Sequence, residues 1–236
     1  MSKLGSLYLI PNLLGGDTAN EVIPIGIKPL VEKVKLIFVE SPKLARKVLI
    51  GLGLKDQLAN IELISIKKGF DQELRLIASD ALKNGEDVGV ISDAGLPAIA
   101  DPGNEIVKIA HGLEATVYPL TGPSSIFLGL MASGFNGQNF AFHGYLPKDP
   151  DSRQKKIREL EKLVYSNNQT QIFIETPYRN EYLFKDMLSQ CQKNTKICIA
   201  MNLTVPEQWI KVDLVENWRK MKIDIRKKQC IFLMYK

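Results

Sequence analysis

Short apolar runs alternate along the chain with longer stretches in which apolar residues recur every three or four positions. The short runs have the length of buried strands, and the longer stretches have the period of amphipathic helices. In the first half, this pattern predicts strands at 5–10, 36–39, 61–64, 88–91 and 115–118. It predicts helices at 42–52, 71–83 and 104–111. Strands that alternate with helices in this way favour a parallel sheet with helices packed on its faces.

The second half of the chain starts the alternation again. Strands are predicted at 140–143, 171–174, 196–201, 208–211 and 229–235. Helices are predicted at 124–131, 152–165, 181–190 and 214–221. Two successive α/β sets predict two domains, residues 1–118 and 119–236. A junction between domains is a common place for a small-molecule cleft, so we expect a ligand to bind there.

Composition places the chain among ordinary globular proteins. Of its 236 residues, 45% are apolar and 24% are charged, which disfavours disorder. The net charge of +5 suits a polyanionic partner such as RNA without requiring one. The first residues lack the pattern of a secretory signal, and no run approaches the roughly 20 apolar residues that span a bilayer. We therefore expect a cytoplasmic protein without a membrane segment.

The cysteines and histidines argue against a metal site. Cys191, Cys198 and Cys230 have no metal-ligand spacing, and the last two fall in apolar runs that are typical of buried strands. The chain has two histidines, His111 and His143, which excludes a multi-histidine site. The sequence therefore predicts no bound metal and three reduced, structural thiols.

Two loops that follow predicted strands carry candidate chemistry. In an open parallel sheet, the loops at the carboxyl ends of the strands line the ligand crevice. The first loop, at 92–103, places Ser92 and Asp93 at a strand end and Gly95 where main-chain groups can approach a ligand closely. The second, at 119–125, places Ser124 at the start of a helix, whose free N–H groups can hold an anion or a hydroxyl. Each loop could instead be an ordinary capped turn.

The chain lacks the common nucleotide-binding motifs. No G-x-G-x-x-G follows a predicted strand, and there is no G-x-x-x-x-G-K-[ST] phosphate loop. A third loop after the first predicted strand contains Gly15 and Gly16, which alone is weak support for a site.

At these segments the chain resembles the tetrapyrrole methylase superfamily, and within it the branch of ribosomal RNA small-subunit methyltransferase I. The similarity runs in the same order along the chain from about residue 7 to the end. The segments that carry it are 7–11, 92–97, 101–103, 119–125, 133–134, 142–147, 153–160 and 175–179.

The resemblance implies a fold, a cofactor and an assembly. It implies two α/β domains, with a mainly parallel N-terminal sheet, a mixed C-terminal sheet and S-adenosylmethionine bound in the cleft between them by backbone groups. It also implies a homodimer. Together with Gly95 from the loop geometry, the expected cofactor-binding residues are Pro11, Ser92, Asp93, Ala94, Gly95, Ser124, Phe142, His143, Asn202 and Leu203.

The segments expected to meet the methyl acceptor depart from the family pattern. They lie at 11–17, 40–43, 66–71 and 201–205, where the usual motifs are replaced. Asp17, Glu40 and Asp93 are candidate general bases, and Lys43 could orient a substrate. A structural role for Glu40 at a strand end is an alternative. Arg179 is expected to pair with Glu175 and pin its loop.

Three functions remain open on the sequence. The first is a methyltransferase that modifies a ribose 2′-hydroxyl in small-subunit ribosomal RNA. The second is a methyltransferase for a small molecule such as a tetrapyrrole. The third is a module that binds S-adenosylmethionine without catalysis. Two basic runs, at 148–162 and 219–228, could bind RNA phosphates or could be solvated helix faces.

Overall fold

A computed structural model describes residues 3–16, 19–67 and 69–236. The chain forms two compact units, Met1–Ser124 and Ser125–Lys236. A five-stranded sheet lies at the centre of each unit. The first sheet is wholly parallel and the second is mixed, which confirms the predicted fold class.

The first unit is an open α/β sheet. Its strands are β1 (Leu7–Leu9), β2 (Leu36–Val39), β3 (Glu62–Ser65), β4 (Val88–Ile91) and β5 (Val117–Pro119), in the spatial order β3-β2-β4-β1-β5. Its helices are α1 (Ala19–Val22), α2 (Lys28–Val31), α3 (Pro42–Gly51), α4 (Gln72–Lys83) and α5 (Asn104–Gly112). Two 3-10 turns, Ile25–Ile27 and Lys55–Asn60, complete the connections.

Helices cover both faces of this sheet. Side chains alternate along β2, so Ile37 packs with α1, α2 and α3 whereas Phe38 packs with α4 and α5. The connection that leaves β1 therefore runs over one face, and the connection that leaves its neighbour β4 runs over the other. A crevice opens at such a switch point, outside the carboxyl ends of the strands.

The second unit is a mixed α/β sheet. Its strands are β6 (Phe140–Tyr145), β7 (Thr170–Ile174), β8 (Lys196–Met201), β9 (Trp209–Leu214) and β10 (Cys230–Tyr235), in the order β6-β7-β10-β8-β9. Its helices are α6 (Ser125–Ser133), α7 (Pro150–Asn167), α8 (Asn180–Gln190) and α9 (Val215–Trp218).

Strand directions bring several chain segments of the second unit to one edge. Strand β7 is parallel to β6, and β10 is antiparallel to both β7 and β8. The carboxyl ends of β6, β7 and β8 therefore share an edge with the amino end of β10. On one face, α6 packs on the central strands, with the Cα of Gly129 close to Ile231. The opposite face packs under α7, α8 and α9 around the buried Trp218.

The structure differs from the predicted elements mainly in the last third of the chain. The predicted strand at 208–211 extends through Leu214, because its residues pair with β8 as far as Lys196. This leaves four residues in α9, where a helix at 214–221 was expected. The short helices α1 and α2 were missed, because neither is long enough to show a helical period.

The described residues contain neither a candidate metal-binding group nor a candidate membrane-spanning helix. No group of three or more His, Cys, Asp or Glu in these residues is placed to hold a metal ion. No helix among them has both the length and the apolar character needed to cross a bilayer. The three cysteines are free and buried, and burial raises the pKa of Cys198 to about 12.

The first basic run is partly structural. Arg153 is 6% exposed, and its guanidinium pairs with Asp186 at 2.6 Å. The same guanidinium donates a hydrogen bond to the carbonyl of Lys148. Arg153 therefore joins α7 to α8 and is not available to bind RNA phosphates.

We predict that Arg153→Met lowers the free energy of unfolding by about 3 kcal/mol, because the Asp186 side chain, 14% exposed, would lose its partner. The measurement is urea unfolding followed by tryptophan fluorescence. The control is Lys155→Met on the same helix, an exposed position where a change within about 0.5 kcal/mol is expected. Equal stability of the two variants would contradict the structural role of Arg153.

Candidate functional site

The candidate site of the first unit lies at the switch point between β1 and β4. Two strand-end loops meet there, one at 11–14 after β1 and one at 92–97 after β4. Both contain residues that the sequence analysis selected. Their geometry follows from a small number of hydrogen bonds.

Asn12 joins these two loops. Its side-chain amide donates to the carbonyl of Ser92 at 2.8 Å and to that of Asp93 at 3.2 Å. Its side-chain oxygen accepts the N–H of Leu13, and its own N–H donates to the carbonyl of Gly95. Asn12 is buried, so these bonds hold both loops in one arrangement. Nothing in the sequence pattern indicates this role for Asn12.

Glu40 is bonded to the same loop from β2. A carboxylate oxygen of Glu40 accepts the backbone N–H of Asp93 at 2.7 Å. The Ser92 hydroxyl donates to the carbonyl of Ala94, and Ser92 is buried. Glu40 therefore positions the 92–97 loop, which agrees with the structural alternative for this residue.

One carboxylate oxygen of Asp93 has no partner in the part of the chain that the structure describes. This Oδ1 atom is buried and makes no hydrogen bond to any described residue. A buried acceptor without a donor costs about 1–3 kcal/mol. A ligand hydroxyl or N–H at this position would remove that cost. The adjacent Ala94 is exposed.

The loop after Asp93 has a strained backbone. Gly95 has φ +67°, and a Cβ there would lie 3.3 Å from the Leu14 side chain and 3.5 Å from the carbonyl of Pro123. Ala98 and Ala100 both have φ +64°, which costs an alanine about 1–2 kcal/mol each. Such strain persists where the surroundings fix it, and it is concentrated at ligand sites.

The second predicted loop packs directly on the first. A Cβ on Gly122 would lie 2.1 Å from the Cβ of Pro11, so only glycine permits this approach. Pro11, Pro123 and Ser124 are buried. The structure thus brings Pro11, Ser92, Asp93, Gly95 and Ser124 to one edge of the first sheet.

A third carboxylate lies near Glu40 and Asp93. Burial raises the pKa of Asp101 from 3.8 to about 6, and the charges of Glu40 and Asp93 add to the rise. No ion pair within the described residues neutralises any of the three. Asp101 was recognised only as part of a motif, and its proximity to Glu40 follows from the tertiary fold.

The other catalytic candidates are less informative. Lys43 is exposed at the second position of α3 and has no ion pair to a described residue. Asp17 lies outside the described residues. The pairing of Arg179 with the buried Glu175 is confirmed.

In the second unit, His143 lies on β6 beside Gln171 of β7. The imidazole Nε2 and the Gln171 Oε1 are 2.7 Å apart. The β6–β7 pairing is irregular between Phe142 and Tyr145, and Gly144 has φ +62°. This irregularity at the end of β6 places the half-buried His143 at the sheet edge defined above.

A chain of amide hydrogen bonds fixes the tautomer of His143. The Asn139 amide donates to the backbone carbonyl of Asn167, so its oxygen accepts from the amide of Gln169. Gln171 donates its amide to the carbonyl and the side-chain oxygen of Gln169. The Gln171 oxygen can therefore only accept, and the Nε2 of His143 must donate.

The remaining ring nitrogen is then an acceptor. Burial lowers the pKa of His143, and the charge of Lys156 lowers it further, while the hydrogen bond to Gln171 opposes both. A neutral imidazole protonated on Nε2 carries a lone pair on Nδ1. This nitrogen of His143 is therefore suited to accept a hydrogen bond from a ligand.

The turn after β8 contains the other predicted residues of this unit. Asn202 has φ +49° and donates its N–H to the carbonyl of Gln229, and Leu203 is buried. Thr204 has φ +70°, which is rare for a β-branched residue. Its hydroxyl oxygen is buried without a partner among the described residues. The sequence pattern does not distinguish Thr204 from the rest of the 201–205 segment, because a backbone strain of this kind leaves no trace in it.

Comparison with solved structures supports the fold. The structure of uroporphyrin-III C-methyl transferase from Thermus thermophilus complexed with S-adenyl homocysteine matches over 98% of both chains. Its TM-score is 0.59 and its sequence identity is 14%. No protein-family model matches the chain.

Two curated relatives are more similar in sequence, and both are named ribosomal RNA small subunit methyltransferase I. The protein of Buchnera aphidicola subsp. Schizaphis graminum is 30% identical over 93% of this chain and 74% of its own length. The protein of Thermotoga maritima is 31% identical over 85% of this chain and 84% of its own length.

The fold and the relatives together define the class of protein. It is a two-unit α/β methyltransferase with the fold of the tetrapyrrole methylases. Within that class, the chain belongs to the ribosomal RNA small subunit methyltransferase I family.

The raised pKa of Asp101 predicts a pH-dependent stability. The folded protein binds the Asp101 proton more tightly than the unfolded chain does. The contribution of this proton to stability is therefore complete below about pH 4 and is lost as the pH rises to about 6. Asp101→Asn cannot lose a proton. We expect it to exceed the wild type by about 1 kcal/mol at pH 7.5, after allowance for solvent screening, and to match it at pH 4.

The measurement for Asp101→Asn is urea unfolding at several pH values between 4 and 7.5. The exposed Asp56→Asn serves as the control, and its stability relative to the wild type should not change over this range. A constant difference for Asp101→Asn would contradict the carboxylate arrangement.

Proposed function

We propose that the chain transfers a methyl group from S-adenosylmethionine to a ribose 2′-hydroxyl of small-subunit ribosomal RNA. The methyl donor is S-adenosylmethionine. The observation that carries this proposal is the pair of loops joined by Asn12, which present backbone groups and an unpaired Asp93 oxygen at the switch point of a parallel sheet. The names of the relatives support the choice of RNA as the acceptor.

The residues present fit this cofactor. The unpaired Asp93 oxygen can accept a hydrogen bond from a ribose hydroxyl of the donor. The left-handed backbone at Gly95 and the close approach of Gly122 to Pro11 bring the loops that flank Asp93 into close contact. In the second unit, Asn202, Leu203 and the acceptor nitrogen of His143 are further candidates for contacts with the cofactor.

The charges near the loop also suit the donor. S-adenosylmethionine supplies a methyl group on a sulfonium cation, already activated for transfer. Glu40, Asp93 and Asp101 form a negative cluster that a cation would stabilise, and the charges of Glu40 and Asp93 add to the rise in the pKa of Asp101 that burial causes. The protein's main task is to align acceptor and donor, which can contribute about 7–11 kcal/mol.

The two alternatives from the sequence make different predictions. A small-molecule methyltransferase would modify a tetrapyrrole precursor and leave RNA unmodified. A module without catalysis would bind the donor and modify neither. The buried, free thiols support a reducing, cytoplasmic location for the protein.

The test is transfer of labelled methyl groups to RNA from cells that lack this protein, compared with a tetrapyrrole precursor. We expect label in small-subunit ribosomal RNA, on ribose. The matched variant is Gly95→Val, in which a β-branched side chain at φ +67° crowds Leu14 and Pro123. Calorimetry should show at least a roughly tenfold loss of donor affinity, because this backbone costs about 1–2 kcal/mol.

Gly137→Val is the control for this experiment, since Gly137 is exposed and has open space around its Cα. Unchanged donor affinity in folded Gly95→Val would exclude this loop as the cofactor site. Label in the tetrapyrrole alone would favour the second hypothesis, and donor binding with no labelled acceptor would favour the third.

We also propose that the chain forms a homodimer through α6. This helix is apolar on both sides: Gly129 faces the sheet, while Phe127 and Met131 are 49% and 77% exposed. Exposed apolar side chains one helical turn apart are typical of a protein interface.

Sedimentation should give a dimer for the wild type and a monomer for Met131→Asp. The control is Leu76→Asp on α4, another exposed apolar position, which should remain dimeric.

A further inference from the structure

Two exposed tyrosines lie next to a cluster of cations in the second unit. Tyr178 and Tyr182 are 71% and 62% exposed, although tyrosine usually buries most of its ring. Lys185 follows Tyr182 by three residues on α8, so the two side chains are neighbours on the helix surface. We call this set, together with Arg226 and Lys227, the tyrosine–lysine surface.

Hydrogen bonds attach the basic turn at 225–228 to the tyrosine segment. The fully buried Asn180 donates its amide to the carbonyls of Ile225 and Lys228, at 3.0 and 2.8 Å. The N–H of Lys227 donates to the carbonyl of Pro177, next to Tyr178, at 3.0 Å. The tyrosines and the cations are therefore presented by one fixed backbone scaffold.

The backbone at Lys227 favours another residue. Lys227 has φ +58°, a conformation in which glycine or asparagine is preferred over a side chain such as lysine. Arg226 and Lys227 are exposed, and neither forms an ion pair with a described residue. The lysine is thus held in an unfavourable conformation without a structural partner that explains it.

Other cations of the basic runs have structural roles. The Arg219 guanidinium donates to the carbonyls of Leu188 and Cys191, and Arg158 bonds to Gln190. Arg153 is buried against Asp186. These three arginines are used within the unit, whereas Arg226 and Lys227 are exposed and have no ion pair to a described residue.

This surface is continuous with predicted cofactor-binding residues of the same unit. The basic turn leads directly into Gln229, whose carbonyl accepts the N–H of Asn202. The tyrosine segment follows β7, and the basic turn precedes β10, so both lie at the sheet edge that also carries His143 and Asn202. A polymer bound there would pass beside those residues.

We propose that the tyrosine–lysine surface binds single-stranded RNA, with bases stacked on Tyr178 and Tyr182 and phosphates bound by Lys185, Arg226 and Lys227. This inference rests on the proposed function and adds to it where the substrate binds and in which form. Exposed aromatic rings beside cations are the combination that single-stranded nucleic acid requires, because a base offers a face for stacking. A duplex keeps its bases stacked inside and would use the cations alone.

The test is fluorescence anisotropy of the full chain with a labelled single-stranded RNA of about twelve nucleotides, without methyl donor. We expect Tyr178→Ala and Tyr182→Ala each to weaken binding by about fivefold or more, as loss of one stacked base does. Tyr178→Phe keeps the ring and should bind as the wild type does. Heparin, a polyanion without bases, should bind the alanine variants and the wild type equally.

Lys227→Gly separates binding from stability. It relieves the left-handed backbone and keeps the N–H bond to Pro177, so its melting temperature should equal or exceed that of the wild type. Its RNA affinity should fall, and the slope of log affinity against log salt should become smaller by about 0.7. Lys227→Arg retains the charge and should bind normally, and Lys162→Ala, exposed on α7, should have no effect.

Each outcome separates the inference from the proposed function. Unchanged RNA affinity in the tyrosine and Lys227 variants would overturn the proposal that this surface binds RNA, even if the wild type methylates ribosomal RNA. Two results would overturn the stacking role of the tyrosines. One is tighter binding of duplex RNA than of single-stranded RNA, and the other is a loss of heparin affinity in the alanine variants equal to their loss of RNA affinity. Loss of RNA binding in these variants, in a protein that methylates no RNA, would support the surface and contradict the proposed function.

Discussion

The buried side chain of Asn12 determines the geometry of the first unit's site. Its amide satisfies the carbonyls of Ser92 and Asp93, and its oxygen satisfies the N–H of Leu13. These groups lie where water has little access, so an unmade bond would leave buried polar atoms unpaired, at about 1–3 kcal/mol each. One short side chain therefore fixes two strand-end loops that are about eighty residues apart in sequence.

The strain in the 92–103 loop depends on this anchor. Ala98 and Ala100 adopt left-handed backbone angles that they would leave in a free loop. The loop is held at one end by Asn12 and Glu40, and near its other end the Ala98 N–H bonds to the carbonyl of Pro102, just before α5 begins. Its main-chain groups are thus oriented before a ligand binds, and less conformational entropy is lost on binding.

The features that the sequence predicted are those with local causes. The strand at 36–39 is the structure's β2, because its four apolar residues are buried on both faces of the sheet. Helix α4 begins after Asp71, whose carboxylate accepts the N–H of Leu74 as an N-cap should. The position of Gly95 and of the Ser92–Asp93 pair after β4 was predictable, because the strand-end rule and residue type are sufficient. Asn12, Gln171 and Thr204 were not found, because their roles come from partners or strain that only the tertiary fold creates.

The two basic runs show that the role of a charged residue, too, cannot be predicted from the sequence alone. Both are rich in lysine and arginine, and the sequence alone assigned each the same possible role in RNA binding. Burial distinguishes individual members of the runs: Arg153 forms an ion pair between two helices, whereas Lys227 is exposed in a strained turn that Asn180 holds. A buried, paired cation has already exchanged its hydration for a protein partner and has little to offer a phosphate. An exposed cation on a fixed backbone retains that capacity and adds orientation, so the fold, and not the count of charges, decides which surface can recognise RNA.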